Sequence, residues 1–226
     1  DGPAVEKPDG TQVWFLHGKQ HREDGPAVVH HDGSKEWWLN GELQQIPQKT
    51  ESEDGMIEWR LNGDLHLEDG PAVTRLDGTE VWFLHGKQHR EDGAAVTHSD
   101  GSKEWWRNGK LHREDGPAIM ESGGTLEWHL NGVPHREDGP AIIRSDGVQQ
   151  WWLNGVRHRE DGPAVIDDQI MQQWWFDGLL HREDGPAVEY DDGDQEWYLG
   201  GSPTEENVVM DSGKRTEFLK SLAGRN

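Results

Sequence analysis

Residues 105–127, WWRNGKLHREDGPAIMESGGTLE, are one copy of a unit that recurs along almost the whole chain. From Asp69 onwards its Asp-Gly-Pro-Ala segment returns every 23 residues, once in the variant form Asp-Gly-Ala-Ala. A Trp followed four positions later by Gly keeps the same spacing, apart from one step of 22 residues. A period of this length indicates a repeat architecture. The nine units have their Trp at Trp14, Trp37, Trp59, Trp82, Trp105, Trp128, Trp151, Trp174 and Trp197.

Each unit contains two segments with β-strand character. The Trp-Trp-Leu segment is rich in β-prone residues, and so is the Ala-Val or Ala-Ile segment after Asp-Gly-Pro. Asp-Gly pairs such as Asp100-Gly101 predict two-residue hairpin turns in which both residues take a positive φ. The Pro of Asp-Gly-Pro has no N–H to donate to a ladder, so it predicts the entry to a strand. Gly and Pro recur too often for a helix of useful length.

We therefore predict an all-β fold, an elongated single-layer ribbon or solenoid of about nine stacked antiparallel β-hairpin repeats of 23 residues. Such short hairpins are unstable alone, but stacking lets each bury its aromatic residues against the next. With strands about 4.8 Å apart, nine units of two strands give a rod about 85 Å long. A compact globule is the alternative.

The array is predicted to cover residues 1–201, and 202–226 form a C-terminal capping segment. Within the cap, Lys214 to Leu222 can form a short amphipathic helix. A degenerate unit near 42–58 lacks the His, the Arg and the Pro-Ala of the other units. Two interpretations of it remain open, harmless drift or a bulge that makes a specific contact.

The composition is acidic and rich in Trp. Asp and Glu number 44 against 22 Lys and Arg, which gives a net charge of −22, with 13 Trp and no Cys. The charge opposes binding to nucleic acid and to anionic membranes, and the lack of Cys excludes a disulfide scaffold and a thiolate zinc site. No apolar run spans a bilayer and no signal peptide is visible, so we expect a cytoplasmic protein of a bacterial or infected host cell. The chain starts partway through a motif, which indicates a fragment.

The order Trp105, Gly109-Lys110-Leu111-His112 and Gly116 resembles the MORN repeat (membrane occupation and recognition nexus). That family has Gly where this chain has Arg113, and the next Gly lies one position late here. The units thus look like a variant class, W-x-x-N-G-x-x-H-R-E-D-G-P-A, of bacteriophage, bacterial and large-virus repeat proteins. The resemblance implies antiparallel hairpin ribbons that act mostly as scaffolds or contact surfaces. Phospholipid binding, suggested for some members, conflicts with the acidic charge.

The loops between units carry a recurring polar ladder. We expect each His to pin its loop to a neighbouring backbone group, and each Asp to accept hydrogen bonds from the turn that it opens. The Arg residues are expected to pair with carboxylates of adjacent loops and so to set the register between units. Successive His lie about 9.6 Å apart, too far for one ion to bind two, so we expect no metal site and no cofactor. The ladder consists of His112, Arg113, Glu114, Asp115, His135, Arg136, Asp138, His158, Arg159 and Asp161.

The position after the repeat Trp forms a second aromatic stripe, interrupted by Arg60 and His129. Because strand side chains alternate, this stripe is predicted on the face opposite the repeat Trp. It is either structural, like the first stripe, or an exposed aromatic track that binds a protein or a glycan. The aromatic track comprises Phe15, Trp38, Phe83, Trp106, Trp152, Trp175 and Tyr198.

No nucleophile recurs and no Ser-His-Asp arrangement can be recognised, so we expect a non-enzyme. The predicted function is an acidic repeat scaffold that presents an extended surface to a protein partner with a basic patch. One alternative is a glycan- or cell-wall-binding module that uses the aromatic stripes. Another is an acidic decoy that inhibits a host or phage-defence protein by occupying its nucleic-acid-binding site. We expect no direct nucleic-acid binding and no membrane insertion, and the ribbon ends or edges offer routes to oligomerisation.

Overall fold

A computed structural model of the chain describes residues 3–223. Within them the fold is all-β, with short antiparallel hairpins in chain order and a helical piece at the C-terminus. The predicted elongated array of stacked hairpins is therefore confirmed. The outermost residues of the predicted array and cap, 1–2 and 224–226, lie outside the described part.

The elements follow one another in chain order. The first strands are Val5–Glu6 (β1), Gln12–Val13 (β2), Phe15–Leu16 (β3), Lys19–Gln20 (β4), Val28–Val29 (β5), Lys35–Leu39 (β6), Glu42–Gln44 (β7), Gln48–Glu51 (β8), Ile57–Leu61 (β9) and Asp64–Leu65 (β10). Next come Val73–Thr74 (β11), Glu80–Val81 (β12), Phe83–Leu84 (β13), Lys87–Gln88 (β14), Val96–Thr97 (β15), Lys103–Glu104 (β16), Trp106–Arg107 (β17), Lys110–Leu111 (β18), Ile119–Met120 (β19), Leu126–Glu127 (β20), His129–Leu130 (β21) and Val133–Pro134 (β22). The last are Ile142–Ile143 (β23), Gln149–Gln150 (β24), Trp152–Leu153 (β25), Val156–Arg157 (β26), Val165–Asp167 (β27), Met171–Gln173 (β28), Trp175–Phe176 (β29), Leu179–Leu180 (β30), Val188–Tyr190 (β31), Gln195–Leu199 (β32), Ser202–Thr204 (β33), Glu206–Met210 (α1) and Ser212–Ala223 (α2).

Each regular unit divides between a long sheet and a small side hairpin. One sheet has the order β1-β2-β5-β6-β7, and a second sheet of 16 strands continues in chain order from β9 to β33. Six two-stranded hairpins leave these sheets: β3-β4, β13-β14, β17-β18, β21-β22, β25-β26 and β29-β30. Each regular unit thus adds two strands to a long sheet and projects one hairpin beside it.

The bend between sheet and side hairpin lies at the repeat Trp. Trp105 stands between β16 and β17; its N–H donates to the Ala118 carbonyl at 2.8 Å, and its carbonyl accepts from the His112 N–H at 3.0 Å. Pro117, which precedes Ala118, has no N–H with which to extend the ladder. The chain leaves the long sheet at this point, as it also does at Trp82, where Ala94 replaces the Pro.

The two-residue turn lies at Asn-Gly rather than at Asp-Gly. Asn108 and Gly109, which join β17 to β18, both have positive φ values of 52° and 77°. In Asp100-Gly101 only the glycine is positive, with a φ of 90°. The predicted Asp-Gly turn geometry was wrong, because Asp100 Oδ1 instead accepts a hydrogen bond from the Ser102 N–H at 2.8 Å. That contact stabilises a turn with a single left-handed residue.

The fully buried residues of the regular units are small. The Ala of Asp-Gly-Pro-Ala is completely excluded from solvent in unit after unit, at Ala27, Ala72, Ala95, Ala118, Ala141, Ala164 and Ala187. The Trp rings, in contrast, are all half-buried. The predicted burial of aromatic residues between stacked hairpins is thus partial, and the most deeply buried hydrophobic side chains of the regular units are Ala and Val. Two track rings, Phe83 and Trp106, pack against the buried cluster of Val73, Val81 and Val96.

The two helices cover the last strands. Val209 of α1 is fully buried, as is Leu199 of β32, and the Arg215 guanidinium of α2 donates to the Val209 carbonyl at 2.9 Å. The helix predicted over 214–222 lies within α2, whereas β33, also in the predicted cap, still pairs with β32. No helix among residues 3–223 is long and apolar enough to cross a membrane.

Candidate binding surfaces

The Arg of each regular loop lies over the Trp of its own unit. The Arg113 guanidinium carbon is 4.1 Å from the Trp105 ring centroid, and its Nε donates to Asp115 Oδ1 at 2.8 Å. The same cation–π stack, at 3.9–4.4 Å, and the same Asp contact, at 2.7–2.9 Å, occur in six units. The stacked pairs are Trp14–Arg22, Trp82–Arg90, Trp105–Arg113, Trp128–Arg136, Trp151–Arg159 and Trp174–Arg182.

The rest of the Asp-Gly-Pro motif encloses this guanidinium. A Cβ on Gly116 would lie 3.0 Å from the Arg113 guanidinium carbon, so a larger residue would displace the stack. Nη1 of Arg113 donates to the Pro117 carbonyl at 3.2 Å. The prediction that these Arg pair with carboxylates of adjacent loops was wrong, because each guanidinium binds the Asp two residues further on in its own loop. An inter-unit ion pair comes from another position, where Arg107 lies 3.4 Å from Glu91.

The loop Asp is therefore an acceptor for Arg more than for its own turn. The hydrogen bond from Arg113 and the Arg113 charge hold the pKa of Asp115 below its ordinary value. The pKa of the equivalent carboxyl is lowered by the same cause at Asp24, Asp92, Asp138 and Asp161. The main hydrogen-bond donor to this Asp is thus the Arg side chain and not, as we predicted, the backbone of the turn.

The His residues link each unit to the next. His112 Nδ1 accepts a hydrogen bond from the Asn131 N–H at 3.1 Å, which confirms the predicted contact with a neighbouring backbone group. An acceptor at Nδ1 requires a neutral ring with its proton on Nε2, and Nε2 of His112 faces Glu114 at 3.4 Å. The contact recurs at 3.0–3.2 Å in seven pairs: His21–Asn40, His66–His85, His89–Asn108, His112–Asn131, His135–Asn154, His158–Asp177 and His181–Gly200.

Backbone hydrogen bonds reinforce this link. The Arg113 N–H donates to the His129 carbonyl of the next unit at 3.1 Å, and the Gly109 N–H donates to the Gln88 carbonyl of the preceding one at 2.9 Å. Register between units is thus set by His and backbone groups rather than by ion pairs. Among residues 3–223, no group of three or more His, Asp or Glu is arranged to hold a metal ion.

In β6 the track residue lies on the opposite face from the repeat Trp, as expected, because this strand contains both Trp37 and Trp38. In the regular units the repeat Trp lies at the bend between two strands, so the predicted alternation stays a prediction there. Each track ring with a polar group bonds to the residue two positions earlier; Trp106 Nε1, for example, donates to Glu104 Oε2 at 2.7 Å. The same contact, at 2.7–3.1 Å, joins Trp38–Glu36, Trp152–Gln150, Trp175–Gln173 and Tyr198–Glu196.

The two interruptions of the track keep this pairing. Arg60 donates to Glu58 at 3.0 Å, and His129 lies 2.8 Å from Glu127. The Phe rings have no donor, and each follows a Val instead, in the pairs Val13–Phe15 and Val81–Phe83. This matching of side chains two positions apart was readable in the sequence and was missed. Six of the seven track rings are half-buried and Phe15 is 42 % exposed, so a binding role for the track stays a prediction.

The acidic groups of the loops are the parts that face solvent. The Glu114 and Asp115 side chains are 78 % and 83 % exposed. Grooves separate successive loops, each with a repeat Trp in its lining and the Glu and Asp of two units on its sides. In one groove Trp128 lies between the Glu114-Asp115 loop and the Glu137-Asp138 loop.

Comparison of this chain with protein-family models and with curated proteins found no match. The likeness to MORN repeats stays a prediction, and the geometry carries the functional argument.

Proposed function

We propose that the chain is a non-enzymatic scaffold whose row of acidic loops binds a protein partner through a basic patch. The observation that carries the proposal is how the loop residues are used. His and Arg are engaged in contacts that hold the array together, whereas Glu at the same loop keeps most of its surface in water, as in the 78 % exposed Glu114. The repeat therefore supports and displays a carboxylate at every regular step.

The spacing of the loops defines the partner that fits best. Two strands per unit place successive loops about 9.6 Å apart, and three residues of an extended peptide span about 10 Å. A partner segment with Lys or Arg at every third position would meet one acidic loop with each cation. The net charge of −22 adds long-range attraction and makes association dependent on salt.

A peptide pair tests this proposal. One peptide carries five Lys at every third position, separated by Gly and Ser, and the other has the same composition with its five Lys contiguous. We expect the spaced peptide to bind more tightly by isothermal calorimetry, with an affinity that falls as salt rises. Equal affinity of the two peptides, or an affinity that ignores salt, would contradict the proposal.

Matched variants distinguish binding by the acidic loops from attraction by the overall charge of the protein. Exchange of Glu114, Glu137 and Glu160 for Gln removes three charges from the row and should weaken binding of the spaced peptide at least tenfold. A control removes three charges elsewhere, by exchange of Glu53 for Gln and of Asp168 and Asp191 for Asn, all exposed residues outside the row. Equal losses in both variants would indicate non-specific attraction.

A further inference from the structure

One cation lies inside the aromatic track. Arg157 of β26 is directly opposite Trp152 of β25, and its guanidinium carbon is 5.2 Å from the ring centroid of Trp152. The same carbon is also 5.2 Å from the ring centroid of Trp175 in the next unit. The guanidinium therefore lies between two consecutive rings of the track.

No group in the described part of the chain neutralises this cation. Among residues 3–223 the Arg157 side chain has no ion pair and no hydrogen bond, and its Nε is buried without a partner. Burial lowers the pKa of Arg157 from its ordinary value, so the charged form is held here against a desolvation penalty. The residue as a whole is half-buried, and of its three nitrogens only Nε is both buried and unpartnered. The two terminal nitrogens, which have no partner either, are therefore not fully buried and keep contact with solvent.

Near Arg157 the chain has neutral side chains at positions where other units have carboxylates. The residue two positions before a ring with a donor is Gln150 for Trp152 and Gln173 for Trp175. In the other units with a donor at the track position it is a carboxylate: Glu36, Glu58, Glu104, Glu127 and Glu196. If Arg157 served in a structural ion pair, we would expect Glu at position 150 or at position 173. The chain instead has an unpaired cation and neutral neighbours at one place on a strongly acidic molecule.

Packing does not explain the cation either. The residues at the same position of nearby side hairpins are Leu111, Pro134 and Leu180, each directly opposite the track residue of its own unit. The β3-β4 and β13-β14 hairpins have Gln20 and Gln88 there, so this position is uncharged in every other side hairpin. Arg157 adds a charge that the other side hairpins do not need, and apart from its two ring contacts its buried Nε has no partner until an anion binds.

We propose that Arg157, flanked by Trp152 and Trp175, binds the carboxylate of a sugar-acid residue in a glycan. A planar guanidinium with two open nitrogens can donate two hydrogen bonds to a carboxylate. Indole rings on either side offer apolar surface to the C–H groups of a sugar ring. The charge of −22 repels polyanions, so the ligand carries an isolated carboxylate on a neutral body. The site does not depend on the acidic loops of the proposed function.

Calorimetry with three small probes tests the site. The acidic probe is a xylotriose bearing one glucuronic acid residue, the neutral probe is unsubstituted xylotriose, and the peptide probe is a blocked Gly-Glu-Gly. We expect saturable binding of the acidic sugar, with at least tenfold weaker binding of the other two. Similar binding of the neutral sugar, similar binding of the acidic peptide, or no saturable binding in the millimolar range would overturn the proposal.

Variants assign the binding to this residue. Arg157→Leu copies Leu111 and Leu180 and should reduce affinity for the acidic sugar at least tenfold. Gln150→Glu combined with Gln173→Glu copies the other units and supplies internal carboxylates, so it should also abolish binding without touching Arg157. Arg107→Leu removes the same charge from a position where Leu84, Leu130 and Leu153 are native, and it should leave binding unchanged. Retained affinity in both the Arg157 and the Gln variants would place the ligand elsewhere and end the proposal.

Discussion

The degenerate unit near 42–58 and the regular units form hairpins of different shape. In the degenerate unit, β8 pairs with β9 over four successive residues, from Gln48 opposite Arg60 to Glu51 opposite Ile57. In a regular unit, β15 and β16 pair over only two residues, and the chain then leaves for the side hairpin. The ladder at residues 48–51 is regular, and both interpretations of the surrounding residues, drift or a specific contact, stay predictions.

Proline alone does not explain the difference, because β15 follows Ala94 rather than Pro and still pairs with β16 over only two residues. The two kinds of unit differ in where the strand starts: Pro117 lies two residues before β19, whereas β8 starts directly after Pro47. The degenerate unit also lacks the linking His; there the side chain of Asn62 donates to Gln45 Oε1 at 2.9 Å. Asp-Gly-Pro-Ala is therefore not needed to form a hairpin. What it does, from Ala27 onwards, in every unit that has it is to bury an Ala between strands.

The largest expected difference between the two kinds of unit concerns the buried Ala. Ala141→Leu adds volume where no solvent reaches and should destabilise the fold by about 1–3 kcal/mol. Lys49→Leu changes the equivalent position of the degenerate unit, which is exposed, and should stay within about 0.5 kcal/mol. Urea denaturation followed by Trp fluorescence measures both. Equal effects would show that the regular core is not tightly packed.

Loss of one inter-unit histidine contact should have a smaller effect. His135→Gln installs the residue that the degenerate unit carries there, Gln44, and removes the hydrogen bond to the Asn154 N–H. We expect a loss of about 0.5–1.5 kcal/mol, the usual contribution of such a bond. His31→Gln, at an exposed turn position, is the control and should be neutral in the same urea titration. A neutral His135 variant would mean that backbone bonds alone hold the register.

The Gly that covers the Arg stack should also be sensitive to substitution. In Gly139→Ala the new Cβ would lie 3.1 Å from the Arg136 guanidinium carbon, which must leave its preferred rotamer at a cost of about 0.5–1.5 kcal/mol. Gly123→Ala meets no atom within 4 Å and has no positive φ, so it should be neutral or slightly stabilising. Thermal melting compares the two variants. A stable Gly139 variant would contradict the tight Trp–Arg–Gly packing.

The smallest expected effect is a loss of thermal stability at acid pH. Because the folded-state pKa values of Asp115, Asp138 and Asp161 are lowered by their Arg partners, their stabilisation is present above the unfolded value of about 3.8 and is lost as pH falls through the folded values. We expect the melting temperature to drop below about pH 4. Exchange of the three partner Arg for Leu, the residue found naturally at Leu67, should flatten this drop. An unchanged acid profile in that variant would show that other carboxylates dominate.

Some local features were readable from residue types alone, and others were misread. The role of His112 as a link followed from its recurrence beside a turn, and the structure confirms it. The partner of Arg113 was predicted wrongly, because exposed Arg and Asp occur in every loop and the spacing alone does not select between its own loop and the next. The roles of Asn-Gly and Asp-Gly were misread because both pairs favour turns, and only the side-chain contact of Asp100 decides which geometry forms.

The sequence by itself determined the period, the β-strand character, the chain-order stacking and the acidic surface. These follow from spacing, local propensity and composition, which act over a few residues and repeat unchanged. Only the tertiary structure decided that Ala rather than Trp occupies the centre, and that Arg157 lies between two indoles. Trp175 is 18 residues from Arg157 along the chain, and its ring comes within 5.2 Å because the register between side hairpins brings neighbouring units together. That register depends on backbone and His contacts across units, which the pattern of a single unit does not contain.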